Sequence, residues 1–385
     1  MGSQMGRDDV AAEARPRLFL VRGEWDCQPS ASASAPEREV TIAGRRLMAS
    51  PVFDTYWRFA AERHATYLRR LDSDRGPWTD DPIIGHHRFT NAFRAADRVS
   101  QFLISQVIFS DHRPGWKDQV FRTLLFKFFN KIETWQELDR DVGPLRFDTY
   151  DFATYAAVLD RRRDRGDRNY SAAYVIPPPR LGEDSKHRNH LRLLELMMMS
   201  DLPGRLEECA TMANAFELLV SFPSVGKFLG FQFLIDLNYA PELGFSEMDF
   251  VVAGPGACDG IRKCFGAASD GIERDVIEWM AGAQFAEFER LGLGVPTLWG
   301  RPLQLIDIQN LFCEVDKYSR VAHPEVSGVS GRSRIKQVYS PNPDRLAPWF
   351  PPQWGVNDRI ARFDLAEKVD AGIVAEPVGD LVLFR

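Results

Sequence analysis

Residues 221–265 read SFPSVGKFLGFQFLIDLNYAPELGFSEMDFVVAGPGACDGIRKCF, and the rest of the chain is organised around them. A Pro-Ser-Val-Gly turn separates two apolar helical segments, a lone acid follows at Asp249, and Gly254-Pro255-Gly256 opens a further helix. A sharp helix-to-helix turn needs positions that tolerate unusual dihedrals. Its amides can reach an anion only where no side chain intervenes. Gly226 is the residue expected to meet that need. Val225 is expected to plug the turn into the core, and Gly230 to let the two helices approach closely. Ser224 occupies a place where a second glycine would serve better. An ordinary αα-corner would use the same residue types, so the turn alone does not decide between a binding hairpin and a plain corner. Asp249 lies in FSEMDFVV, where a carboxylate in apolar surroundings is costly without a task or a partner. The GPGACDGIRKCF segment places Arg262 and Lys263 in the second turn of a helix whose N-terminus suits an anion.

The chain has 385 residues, 44% apolar and 26% charged, with a net charge of −6. These values suit a soluble globular protein with a sizeable core. A chain of this charge meets nucleic acid only through a local patch. Its 27 Phe and 9 Trp are core material first and stacking surfaces second. The five cysteines form no CxxC pair and no disulfide ladder, so a reducing, cytoplasmic setting is expected, with no metal and no cofactor. No long apolar run and no apolar leader core occur, so no membrane association is expected. GxxxxGK[ST], HExxH and GxSxG are all absent, and VGKF carries Phe228 where a phosphate loop needs a hydroxyl.

Residues 1–50 read as an arm in which 17–23 and 39–47 each make a short strand around the QPSASASAPE linker. From Pro51 the texture is helical. Phe53, Tyr56, Trp57, Ala60, His64 and Tyr67 fall on one stripe of the first helix. Residues 86–109 read as a second helix, with Asn91, Arg94, Asp97, Arg98 and Gln101 on its polar face. That face is either a solvated ion network or a cleft wall. Further helices are expected over 120–138, 187–203, 206–222, 271–293 and 302–320. The tail from about 325 is Pro- and Trp-rich and should lie irregularly over the core.

The order hairpin, helix, acid resembles the helix-hairpin-helix DNA glycosylases. In that pattern the turn holds a backbone phosphate and the acid attends the sugar of an extruded base. Phe228 stands near the position where lyase-type members carry a nucleophilic lysine, which points away from a lysine-linked intermediate. More specifically, PWTDDPII, HHRFTNAFRAADRVSQFLI, the hairpin, VVAGPGACDGIRKCF and DIQNLFCEVDKYSR resemble, in that order, blocks of one family. It comprises the α-glutamyl/putrescinyl thymine pyrophosphorylases and the helical domain found beside 5-hydroxymethyluracil DNA kinases. The resemblance implies a mainly α, two-lobed fold like that of the helix-hairpin-helix glycosylases, with a catalytic domain over 51–325 and an irregular extension over 326–385. It implies that Asn91, Arg94, Asp97, Arg98, Asn310, Glu314, Asp316 and Lys317 bind the substrate. Asp249 would be catalytic, and Ser224, Gly226, Lys227, Gly254, Gly256, Arg262 and Lys263 would touch DNA.

The function expected from these features is a DNA glycosylase that removes a 5-substituted, hypermodified pyrimidine by base flipping and Asp-assisted hydrolysis. Two alternatives remain open. One is a transferase joining an amino acid or polyamine to an activated 5-hydroxymethyluracil in DNA. The other is a non-catalytic reader of modified DNA. The partner in all three is DNA containing modified pyrimidines.

Overall fold

The computed structural model describes residues 38–73, 75–110, 114–172, 176–342 and 346–360. The strand expected over 17–23, the linker before residue 38 and the extreme C-terminus lie outside the described residues. Within them the protein is mainly α-helical. Strands β1 (Arg38–Ile42) and β2 (Arg45–Ala49) pair antiparallel, with Val40 opposite Leu47. The segment 39–47 is therefore a hairpin rather than one strand, because Ala43 and Gly44 both adopt positive φ and turn the chain.

Helix α1 spans Pro51–Asp72. The Ser50 hydroxyl caps it by accepting from the Val52 amide at 3.1 Å, and Pro51 fits the first turn, where no amide partner exists. Its apolar stripe is buried as its spacing requires, with Phe53, Tyr56 and Trp57 fully inside. Each such side chain contributes about 2–3 kcal/mol of burial. His64, on the same stripe, meets the Thr297 carbonyl at 3.1 Å, and burial pulls its pKa down to about 4.

The second expected helix does not form as one piece. Helix α2 (Pro82–His86) ends early, residues 87–93 are non-helical, and a 3-10 turn follows at Arg94–Ala96. Helix α3 (Arg98–Phe102) then runs into a π-helical stretch at Leu103–Ile108. The reason lies in the amides. Those of Thr90, Asn91 and Arg94 donate to the carboxylates of Glu314, Asp97 and Asp307, at 3.0, 2.8 and 2.8 Å. Side chains have taken the donors that a helix would have used.

The remaining helices are α4 (Trp116–Phe129), α5 (Ile132–Val142), α6 (Phe152–Asp164), α7 (Lys186–Met199) and α8 (Leu202–Glu207). They are followed by α9 (Met212–Val220), α10 (Lys227–Leu237), α11 (Pro255–Phe265), α12 (Glu273–Arg290) and α13 (Leu305–Ala322). The 120–138 periodicity splits at Asn130, whose left-handed φ of 49° ends α4. Helices α11 and α13 form the tightest pair, since a Cβ at Gly260 would overlap the Phe312 carbonyl. The tail is irregular over 326–342 and 346–351, and Phe350 and Val356 anchor it in the core. No helix among the described residues is long and apolar enough to cross a membrane.

Candidate functional site

The hairpin between α9 and α10 forms as its residues dictate, with one exchange of roles. Val225 is buried as a plug, and Gly230 lies so close to α9 that a Cβ would come within 2.6 Å of Val220. The left-handed position is Ser224, at φ 61°, while Gly226 has an ordinary φ of −75° as the N-cap of α10. The position that calls for a glycine is thus two residues before Gly226, where the sequence places a serine. Ser224, Gly226 and Lys227 are all exposed at the tip.

The second glycine turn sits beside the first. The Phe228 ring lies 3.0 Å from where a Cβ on Gly254 would be, and Gly256 abuts Cys313 in the same sense at 3.1 Å. Gly254 is buried, so both glycines serve helix packing and offer no open cradle for a phosphate. The two basic residues that follow are also occupied. Arg262 forks onto Asp270, with Nε at 2.8 Å from Oδ1. Lys263 is buried between α11 and α13, donating to the Asp316 carbonyl at 3.0 Å and the Ser319 hydroxyl at 3.2 Å. An interior lysine so satisfied cannot meet DNA, and this corrects its expected role.

Asp249 is exposed. Its loop turns back through its amide, which donates to the Ser246 carbonyl at 3.1 Å, and the residue is exposed despite the apolar neighbours in FSEMDFVV. The buried acid of that loop is Glu247, two residues earlier, paired with Arg301 at 2.7 Å.

Five of the expected substrate-binding residues do come together, on the seam where residues 87–97 cross α13. Asn310 Nδ2 donates to Thr90 Oγ1 at 3.0 Å, and Glu314 Oε2 receives Lys317 Nζ at 2.7 Å. Asn91 Nδ2 donates to the Ala96 carbonyl at 2.7 Å. Asp97, beside them, has its carboxyl raised to about 6 by burial, with Glu314 adding to the effect against the Asn91 amide and Arg63. Asp316 points the other way, into the Lys263 pocket, because residues two apart on a helix diverge. Arg98 begins α3 and is partly buried.

Arg94 joins this seam to a deeper network. Its guanidinium donates to Asp236 at 2.7 Å, Tyr239 at 2.8 Å and Gln232 at 3.2 Å, all on or just after α10. Lys127 reaches the other Asp236 oxygen at 2.8 Å. Burial alone would raise the Asp236 carboxyl, but Arg94 and Lys127 outweigh it and hold it below the usual range.

Next to Arg94 lies a small cavity lined by Phe93, Tyr239, Glu247, Arg301, Asp307 and Trp354. Its free space of about 10 Å³ is roughly that of one water molecule. Two acids face it. Asp307 accepts from the Arg94 amide and, at 3.0 Å, from the Gln304 amide, closing the N-terminus of α13. Burial and then the charge of Glu247 push its pKa up to about 7. Burial also raises Glu247, against the pull of Arg301. Two carboxyls of raised pKa beside a guanidinium can hold, take or release a proton near neutrality.

Glu247, Asp307, Asp236, Lys127 and Arg301 were not singled out from sequence. Only Asp307 left a local trace, as the acid three residues after Gln304 in a reciprocal helix-start pattern. Among the described residues, no group of His, Cys, Asp or Glu side chains is placed to hold a metal ion.

A family model described as the helical domain of 5-hmdU DNA kinase matches residues 50–328. The 5-hmdU DNA kinase of Bacillus phage SP10 is 25% identical to this chain over 322 residues, covering 77% of the chain and 49% of the relative. The chain thus spans about half the length of that relative. No solved structure matches. Both matches are to a kinase that acts on DNA, and they overturn the expected glycosylase, a hydrolase. The alternative of a DNA base-modifying transferase fits them better. By its match over most of its length, this chain belongs to the 5-hmdU DNA kinase helical-domain family.

Proposed function

We propose that this chain is a transferase that builds on a 5-substituted pyrimidine in DNA, joining an amine to an activated 5-hydroxymethyl group. The observation that carries the reading is the cavity shared by Asp307, Glu247 and Arg301, in which burial and the charge of Glu247 push the Asp307 carboxyl up to about 7. In the step envisaged, the amine nitrogen forms a bond to the 5-methylene carbon. The bond from that carbon to its phosphate-bearing oxygen breaks, and the leaving group departs with the electron pair. The proton lost by nitrogen passes through the water-sized cavity to the Asp307 carboxylate. Lys317, partly exposed on the seam beside Asn310, supplies positive charge for the departing phosphate. The exposed hairpin tip, with Lys227, contacts the DNA backbone.

A second reading follows from the relative's name: phosphoryl transfer to the 5-hydroxymethyl group itself. The 385 residues contain no GxxxxGK[ST] loop, so the phosphoryl donor would need another holder.

One experiment separates these readings. DNA carrying 5-hydroxymethyluracil, or its pyrophosphorylated form, is incubated with the protein and either an amine or ATP. It is then digested to nucleosides and weighed. An amine adduct on the modified nucleoside supports the proposal, and added phosphate supports the second reading. Unchanged nucleosides in every incubation, or release of free base, would sink both.

A further inference from the structure

Trp354 has the surroundings of a bound ring. The Arg301 guanidinium lies over its indole at 4.1 Å from the centroid. Tyr239 meets it edge-on at 5.8 Å, and Phe350 lies nearly parallel at 6.3 Å and 18°. It also lines the cavity that holds Glu247 and Asp307. A guanidinium on one face and aromatic rings around it are the contacts that hold a nucleobase out of its stack. Carboxyls at the floor can donate or accept to a base edge according to their protonation.

The segment that carries Trp354 is held at its base and largely exposed at its tip. Phe350 and Asn357 exchange two hydrogen bonds, at 2.9 and 2.7 Å, which close the loop between them. Phe350 and Val356 are buried on either side. Between them runs a single 3-10 turn, Pro352–Trp354, followed by Gly355 in the left-handed region at φ 62°. The tip's side-chain hydrogen bond to the body is Gln353 Nε2 to the Tyr239 carbonyl at 2.9 Å. Lifting this tip breaks the Gln353 hydrogen bond and the ring contacts of Trp354, whereas pulling out Phe350 would open the core. The turn also lies beyond residues 50–328, the part matched by the family model.

We propose that Trp354 is a displaceable stopper, and that the slot between Arg301, Tyr239 and Phe350 receives a planar nucleobase when the Pro352–Gly355 turn lifts. The base comes either from a DNA strand or from a free nucleotide. This goes beyond the transfer reading, since occupancy of the slot does not depend on which bond is made.

The test is equilibrium binding by the full chain and by Trp354→Ala, Arg301→Gln and the double variant. The probes are a single-stranded oligonucleotide with one 5-hydroxymethyluracil, the same strand with thymine, and free dTMP and ATP. A stopper closed about nine-tenths of the time predicts roughly tenfold tighter binding by Trp354→Ala. The double variant should lose that gain. A gain confined to oligonucleotides assigns the slot to a base in DNA, and a gain for dTMP or ATP assigns it to a free nucleotide. Equal or weaker binding of every probe by a folded Trp354→Ala, judged by circular dichroism, overturns the proposal. Should that variant fail to fold, hydrogen exchange on the wild-type chain decides. Faster exchange at the Gln353–Val356 amides on adding the tightest-binding probe supports the stopper, and unchanged or slower exchange overturns it. Both measurements read binding alone, so a failure to find any adduct in the nucleoside analysis leaves them standing.

Discussion

Lys263 Nζ and Asp316 Oδ1 lie 3.0 Å apart in the interface of α11 and α13, each side chain at most 2% exposed. Arg320 reaches the other Asp316 oxygen from one turn on. Removing the lysine therefore leaves a buried carboxylate short of one of its two cations. Lys263→Met should cost about 3 kcal/mol in urea unfolding, within the range for breaking a buried pair. Affinity for DNA, measured under conditions where the variant is folded, should stay within about twofold of wild type. A loss of DNA affinity with unchanged stability would return Lys263 to the surface role expected from sequence.

Lys227 is the contrasting case, a cation exposed at the hairpin tip. If the tip contacts phosphate, Lys227→Ala weakens binding about equally for all DNA sequences and lowers the logarithmic salt slope by about one. The measurement is a titration of DNA affinity against salt. An unchanged slope would show that the hairpin is only an αα-corner.

Ser224 is held at φ 61°, a conformation that costs a residue bearing a Cβ about 1 kcal/mol. Ser224→Gly should raise stability by roughly 0.5–1 kcal/mol. Gly260→Ala should lower it by at least about 2 kcal/mol, because the new methyl meets the Phe312 backbone, which cannot yield as a side chain would. Thermal melts of the two variants check both signs.

On the proposed reading, Asp307 governs the pH dependence of adduct formation. As a general base it must be ionised, so adduct formation should rise with pH through about 7. Asp307→Asn should lose that limb and fall by about 10²–10⁴ in rate. Stability runs the opposite way. A carboxyl whose folded pKa lies above its unfolded value of about 3.9 binds its proton more tightly in the native state, so wild-type stability is lost as pH rises from about 4 to 7. Asp307→Asn has no such titration. Its melting temperature relative to wild type should therefore climb between pH 5 and pH 8, and a flat difference would refute the raised pKa.

Much of the architecture was legible from local pattern. The stripe on α1, the hairpin with its Val225 plug, the close approach at Gly230 and the irregular tail over the core all follow from spacing and turn chemistry. These features depend on residues near one another in the chain, where periodicity reports burial directly. The ordered blocks from PWTDDPII to DIQNLFCEVDKYSR likewise pointed to the family that the matches show.

The seam was not legible in the same way. Residues 86–109 have helical periodicity, yet Glu314, Asp97 and Asp307 capture the amides of Thr90, Asn91 and Arg94 and hold part of that stretch out of a helix. Two of those three acids come from α13, more than two hundred positions along the chain. Shorter separations, of 53 and 54 positions, hid the partnership of Lys263 with Asp316 and the pairing of Glu247 with Arg301.

Sequence alone determined where most of this chain is helical, residues 86–109 excepted, and which turn it is built around, because propensity, capping and hydrophobic period act over a few residues. Tertiary structure decided which charges are buried together. It turned Lys263, Gly254 and Gly256 into packing residues and left Asp249 in solvent. It gathered Glu247, Asp307 and Arg301 under Trp354, because desolvation and Coulomb energies depend on distances that only the folded chain creates.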